Sequence, residues 1–203
     1  MNKLVIYGAS GHGKVIADMA RLNGYEDIVF YDDDPSKNKI DEYDVIHEFP
    51  DEEYDLIIGV GVNKTREMIS KKMSRELITL IHPDATIGEN VSIGKGVVVM
   101  ARAVINPGTV IGDGVIVNTY ASLDHDNYIK DYCHISVNVH TAGNVSIGER
   151  SFIGIGANVV NNVTICDDVT VGAGACVVKD INEEGTYVGV PARKLYENTD
   201  SNK

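Results

Sequence analysis

From Ile81 onward the chain keeps a six-residue beat. Stepping by six from Ile81 gives Ile87, Ile93, Val99, Ile105, Ile111, Val117, Leu123, Ile129, Ile135, Thr141, Ile147, Ile153, Val159, Ile165, Val171 and Val177, all aliphatic except Thr141. A second column follows four residues behind each of these, from Ala85 to Ile181, and is small or β-branched except at Asn127. No helix repeats on six. A hexapeptide β-helix does: each hexad is one short face of a prism, and its apolar residue is buried only when neighbouring rungs stack on it. If the prism is triangular, one coil is three hexads, or eighteen residues.

Ahead of the beat the pattern changes to alternating strands and helices. Lys3 to Tyr7 is an apolar strand running into Gly8-Ala9-Ser10-Gly11-His12-Gly13-Lys14, after which Val15, Ile16, Met19, Ala20 and Leu22 recur at helical spacing. A second strand, Asp27 to Tyr31, leads into Asp32-Asp33-Asp34-Pro35. A third, Asp55 to Val60, leads into Gly61-Val62-Asn63-Lys64 and a helix to about Arg75. A strand, a glycine turn and a helix present backbone N–H groups to a phosphate, which makes Gly8, Ser10, Gly11, His12 and Gly13 candidate ligands, with Gly61 and Asn63 at the later turn. Asp32 and Asp33 stand where a Rossmann-type unit meets a ribose, about 20 residues beyond its glycine loop. The loop has neither the G-x-G-x-x-G nor the Walker spacing, so a steric turn competes as the reading of its glycines. A solvated turn competes for the aspartates. The division expected is a small Rossmann-like parallel α/β domain over 1–80 and a β-helix with a C-terminal tail over 81–203.

Composition narrows the function classes. The chain has 203 residues, 30 acidic against 18 basic, and a net charge of −12, which argues against binding to a phosphate backbone and for small-molecule metabolism. Cys133, Cys166 and Cys176 are odd in number and lack CxxC spacing, which suits a reducing cytoplasm. Neither a signal peptide nor a run of about 20 apolar residues is visible, so no membrane span is expected.

Polar interruptions in a core column mark candidate functional sites. Asn127 closes Leu123-Asp124-His125-Asp126-Asn127, and Thr141 opens Thr141-Ala142-Gly143-Asn144. One coil beyond His125 is Gly143, so the glycine is expected beside the imidazole with its backbone N–H exposed. A carboxylate on the other ring nitrogen fixes the tautomer and raises basicity, and either Asp124 or Asp126 is suited to that. Asn118, in the same coil, offers a second hydrogen-bonding group. His134 and His140 follow, but histidines nine and six residues apart fall on different faces, so a zinc site would need ligands from two subunits and none is expected.

The opening Tyr7-Gly8-Ala9-Ser10-Gly11-His12-Gly13-Lys14, the hexapeptide array, Asp124-His125-Asp126 and the closing Val188-Gly189-Val190-Pro191-Ala192-Arg193-Lys194 together resemble one family. It is that of the sugar acetyltransferases typified by the bacillosamine-pathway N-acetyltransferase and the sialic acid O-acetyltransferases. The resemblance implies a homotrimer of left-handed β-helices, each with a Rossmann-like N-terminal domain. It implies His125 as general base, with Asp126 where some members carry Glu, Asn118 beside the reacting amine and His134 lining the site. Gly143 is implied as backbone donor to the acetyl carbonyl of acetyl-CoA. The coenzyme is implied to run past Asn161 toward Gly172, Ala173, Pro191, Arg193 and Lys194, whose cations suit its phosphates. The expected reaction is N-acetylation of a nucleotide-linked amino sugar, a UDP-4-amino sugar first. O-acetylation of sialic acid or another sugar is the alternative within enzymes, and a non-catalytic nucleotide-sugar-binding trimer the alternative outside them.

Overall fold

The computed structural model describes residues 3–196. The chain opens with β1 (Lys3–Tyr7), α1 (Gly11–Leu22), β2 (Asp27–Tyr31), β3 (Lys39–Ile40), β4 (Tyr43–Ile46), β5 (Asp55–Ile58) and α2 (Asn63–Lys72). These strands form one sheet in the order β3-β4-β2-β1-β5, parallel except for the β3–β4 ribbon. Strand β1 lies between β2 and β5 and is covered on both faces, which is why it reads as an unbroken apolar run. Leu4 and Ile6 pack with Ile16, Met19 and Ala20 of α1, whereas Val5 and Tyr7 pack with Leu56, Ile58 and Ile69 of α2. The second helix stops at Lys72, short of the expected Arg75, because Met73 is already extended at φ −76 and ψ 131. The β3–β4 ribbon carried no alternating signal, being two and four residues long.

From Leu80 the chain winds into a prism of three parallel sheets. The first face holds the strands that include Val98–Val99, Ile116–Val117, His134–Ile135 and Phe152–Ile153. The second holds Val104–Ile105, Ser122–Leu123, His140–Thr141 and Asn158–Val159, and the third Val110–Ile111, Tyr128–Ile129 and Ser146–Ile147. Register is one coil of eighteen up to Val177, as where Ile93 pairs with Ile111 and Ile111 with Ile129, and the last coil shortens to sixteen, with Val169 opposite Gly185 and Ile165 opposite Ile181. Each Ile or Val so enclosed contributes ~1.5–3 kcal/mol relative to exposure. Ile87, near the open end of the stack, is 36 % exposed because no coil lies beneath it. The fold class is therefore the expected one, a small Rossmann-like parallel α/β unit followed by a left-handed parallel β-helix of hexapeptide repeats.

The α/β unit sits on the first face of the prism. Leu80, Val98 and Met100 belong to the same buried cluster as β1 and α1. The N-terminal end of α2 is fastened to the corner between the third and first faces. There Arg66, 1 % exposed, donates to the carbonyls of Gly114, Tyr132 and Cys133, while Asn63 donates to those of Arg150 and Ser151. Among the described residues no helix is long and apolar enough to cross a membrane.

Candidate functional site

The corner between the second and third faces carries His125. Its ring stands over Gly143 one coil on: a Cβ built on that glycine would lie 2.5 Å from Nε2 and 2.6 Å from Cε1. Any side chain at residue 143 would displace the imidazole. Among the described residues no acceptor takes the Gly143 N–H. The imidazole is held from the other side, where Nδ1 lies 2.7 Å from Asp126 Oδ2. Asp126 reaches it from a left-handed backbone conformation, φ 57, that Asp tolerates better than most residues. Asp124 takes a different part, accepting the His125 N–H at 2.8 Å and the Asn106 amide at 2.9 Å. The hydrogen bond to Asp126, and after it the charge of Asp124, raise the His125 pKa above the ordinary imidazole value.

A second cluster forms where the α/β unit meets the first face. His134 Nε2 lies 3.1 Å from Asn118 Nδ2, and its Nδ1 lies 3.3 Å from the Gly61 carbonyl. Asn118 is spoken for at its other end as well, since its Oδ1 accepts the Thr119 N–H. The amide can only donate to Nε2, so the His134 proton sits on Nδ1 and points at Gly61. The ring of His12, from the first turn of α1, lies 6.2 Å from that of His134 and has a buried Nε2 with no partner among the described residues. Burial, then the charge of Arg66, pulls both imidazoles down to about 4, so both are neutral at physiological pH. Asn118 thus stands with His134 at the first corner, one corner before His125 rather than beside it.

Other candidates fall into place around these two clusters. Gly13 is required by packing, because a Cβ there would lie 2.5 Å from the Gly8 carbonyl oxygen and 2.8 Å from Phe30, whereas Gly11 is surrounded by open space. Ser10 caps α1, accepting from the Gly13 N–H and donating to the Gly59 carbonyl. Asp32 spends its carboxylate on the N–H groups of Ala9 and Asp34 and on Lys37, and Asp33 accepts from the hydroxyls of Tyr7 and Tyr31. Asn63, expected with the substrate ligands, is buried at the α2 joint with its amide committed to prism carbonyls. Asn161 shares a groove of about 370 Å³ with His140, Thr141, Ala142 and Asn158. Gly172 and Ala173 lie at the other corner, between first and second faces. Pro191 leads into Arg193 and Lys194, which border a cavity of about 320 Å³, with Lys194 paired to Glu183. Asn106 and Arg66 had no pattern in the sequence to single them out. Among the described residues there is no cluster of three metal-ligating side chains.

A glycine-turn α/β unit seated on a hexapeptide prism, with a carboxylate-held histidine over a glycine, defines a class of acyltransferase fold. Residues 3–73 match the PglD N-terminal domain. The chain is similar to the acetyltransferase domain of PglB from Neisseria gonorrhoeae, with 42% identity over 96% of this chain and 100% of that one and a TM-score of 0.91; the same domain is also known in complex with acetyl coenzyme A. It is similar too to a variant of perosamine N-acetyltransferase from Caulobacter crescentus in complex with CoA and GDP-perosamine, with 34% identity over 97% and 98% of the two chains and a TM-score of 0.92. A curated relative, UDP-N-acetylbacillosamine N-acetyltransferase of Bacillus subtilis, is 33% identical over 113 residues, 50% of this chain and 52% of that protein, so the match spans about half of that relative's length. The chain belongs to the hexapeptide-repeat sugar acetyltransferase family.

Proposed function

We propose that the protein is an acetyl-CoA-dependent N-acetyltransferase acting on the amino group of a nucleotide-linked amino sugar, first a UDP-4-amino sugar. The observation that carries this reading is His125 Nε2 lying over Gly143, whose N–H has no partner among the described residues, while Asp126 holds Nδ1. With the Nδ1 proton donated to Asp126, neutral His125 presents Nε2 as an acceptor. It takes the proton of the sugar amine as the new C–N bond forms and the C–S bond of the thioester breaks, and the departing thiolate is protonated in turn. The free N–H of Gly143 faces the oxygen on which negative charge develops. Gly143 and Asn161 are the residues that would hold the acetyl end of acetyl-CoA, with the Arg193 and Lys194 cations toward its phosphates.

The α/β unit, residues 1–80 in this reading, takes the nucleotide sugar. Gly8 to Gly13 and the α1 N-terminus meet the phosphates, Asp32 and Asp33 lie toward the base or ribose, and Gly61, His12, His134 and Asn118 lie toward the sugar. The relatives solved with acetyl coenzyme A and with CoA and GDP-perosamine support both halves. The test is thiol release from acetyl-CoA with a panel of UDP- and GDP-amino sugars, free amino sugars and sialic acid. Turnover is expected with nucleotide-linked amines well above that with free sugars. Thiol release with sialic acid and none with any nucleotide-linked amine overturns the reading.

Within one chain His125 and Asn118 stand at successive corners, so we also propose a closed homotrimer in which the His125 corner of one copy meets the Asn118 corner of the next. Light scattering at micromolar concentration should give three times the chain mass. A monomer there would leave the two halves of the site in separate molecules.

A further inference from the structure

The second-column polar residues of the prism have one common habit. Thr109 Oγ1, Cys133 Sγ and Ser151 Oγ each donate to the carbonyl fifteen residues ahead, at Asp124, Gly148 and Cys166. Asn127 does the same, its Nδ2 lying 3.1 Å from the Ala142 carbonyl. It then does more: the same nitrogen lies 2.5 Å from the Asp124 carbonyl and 3.4 Å from that of His125. One buried amide thereby spans two coils at the point where His125 in one stands over Gly143 in the next. Thr109, fully buried below it, also donates to the Asp124 carbonyl at 3.0 Å.

The arrangement is not one that packing asks for. Asn127 is 1 % exposed and its Oδ1 finds no partner among the described residues, nor does the hydroxyl of Thr141, the other break in the beat. An unpaired polar atom in a dry core is costly, and Val91, Val145 and Val163 fill the same stacked column without it. Sites that break a local rule at a stability cost are where function is expected.

The geometry points to Asn127 as a positioning residue, one that sets the height of His125 over Gly143 from inside the prism by tying the Asp124 and Ala142 carbonyls to a single amide. This rests on the reading of His125 as general base. Loss of the tie lets the two loops drift apart, and a displacement near 1 Å in such a site costs about 100-fold in rate.

The test uses the full chain with Asn127→Val, which restores the beat, and Asn127→Thr, the residue type found at 109 in the same column. Both variants are expected to lose about 10- to 100-fold in kcat, with KM for both substrates changed less than about twofold and a thermal midpoint equal to or above wild type. In a His125→Ala background Asn127→Val should add almost nothing, since a positioning residue has no base left to position. Should Asn127→Val fail to fold, Asn127→Thr decides. A kcat within about threefold of wild type, or a loss that persists undiminished without His125, overturns the inference. Wild-type turnover in His125→Ala alone would instead bring down the base assignment beneath it.

Discussion

Replacing His125 by Ala should lower turnover about 10²- to 10⁴-fold, the usual contribution of a positioned general base. Folding should survive, because the side chain is 59% exposed in the single chain and stands outside both core columns, and assembly and coenzyme affinity should hardly change. The pH profile carries the same information with a sign. The hydrogen bond from the ring to Asp126, and then the Asp124 charge, favour the protonated imidazole and raise its pKa. A protonated ring cannot accept the amine's proton, so the rate should fall as pH drops, along a limb displaced above the ordinary imidazole range. Asp126→Asn should move that limb back down and cost less than loss of the ring. Retention by His125→Ala of more than about a third of the wild-type turnover would place the base elsewhere.

The pairing of His125 with Gly143 was nearly complete in the sequence, and the reason is periodic geometry. In a stack of eighteen-residue coils, residues 125 and 143 must be neighbours whatever the side chains are, and the structure lays the imidazole against the glycine. The same arithmetic gives the inward columns and the pairing of Ile93, Ile111 and Ile129. It holds a further signal in the outward turns. Asp113, Asp131 and Asp167 lie at multiples of one coil, and each carboxylate accepts the N–H one coil below, at Lys95, Asp113 and Glu149.

Where the chain leaves the period, the sequence is less informative. Asn118 and His125 share a coil, yet the Ser122–Leu123 face separates their corners and the amide meets His134 instead. Which of Asp124 and Asp126 holds the ring depended on a left-handed backbone at Asp126, and that turn repeats at Asn144 and Asn162 one and two coils on. The joint between the α/β unit and the prism had no periodic signature at all. Asn63 looked like a turn ligand because it lies just after a glycine, but the structure uses its amide to hold the prism's backbone.

Arg66→Met should be the most destabilising single change at that joint, by about 3 kcal/mol. The guanidinium is buried with no carboxylate partner among the described residues and donates instead to the carbonyls of Val60, Gly61, Gly114, Tyr132 and Cys133 and to Asn63 Oδ1. Burial lowers its pKa only to about 10, so the charge is kept at neutral pH and each of these is a charge-assisted bond. Methionine matches the length and removes the cost of burying a charge, which offsets part of the loss. It also leaves several buried carbonyls unpaired, at about 1–3 kcal/mol each, and that term is the larger. For a chain of this size a loss of about 3 kcal/mol is a fall of about 6–12 °C in thermal midpoint, measured at equal protein concentration so that assembly does not confound it. The consequences reach the site, because the Gly61 carbonyl that accepts from Arg66 also accepts from His134. With the cation gone, His12 and His134 lose one of the forces that keep them neutral, so the KM for the nucleotide sugar should rise more than that for acetyl-CoA. A midpoint within about 2 °C of wild type would mean that the apolar contacts of Leu80, Val98 and Met100, rather than the buried cation, hold the α/β unit on its face of the prism.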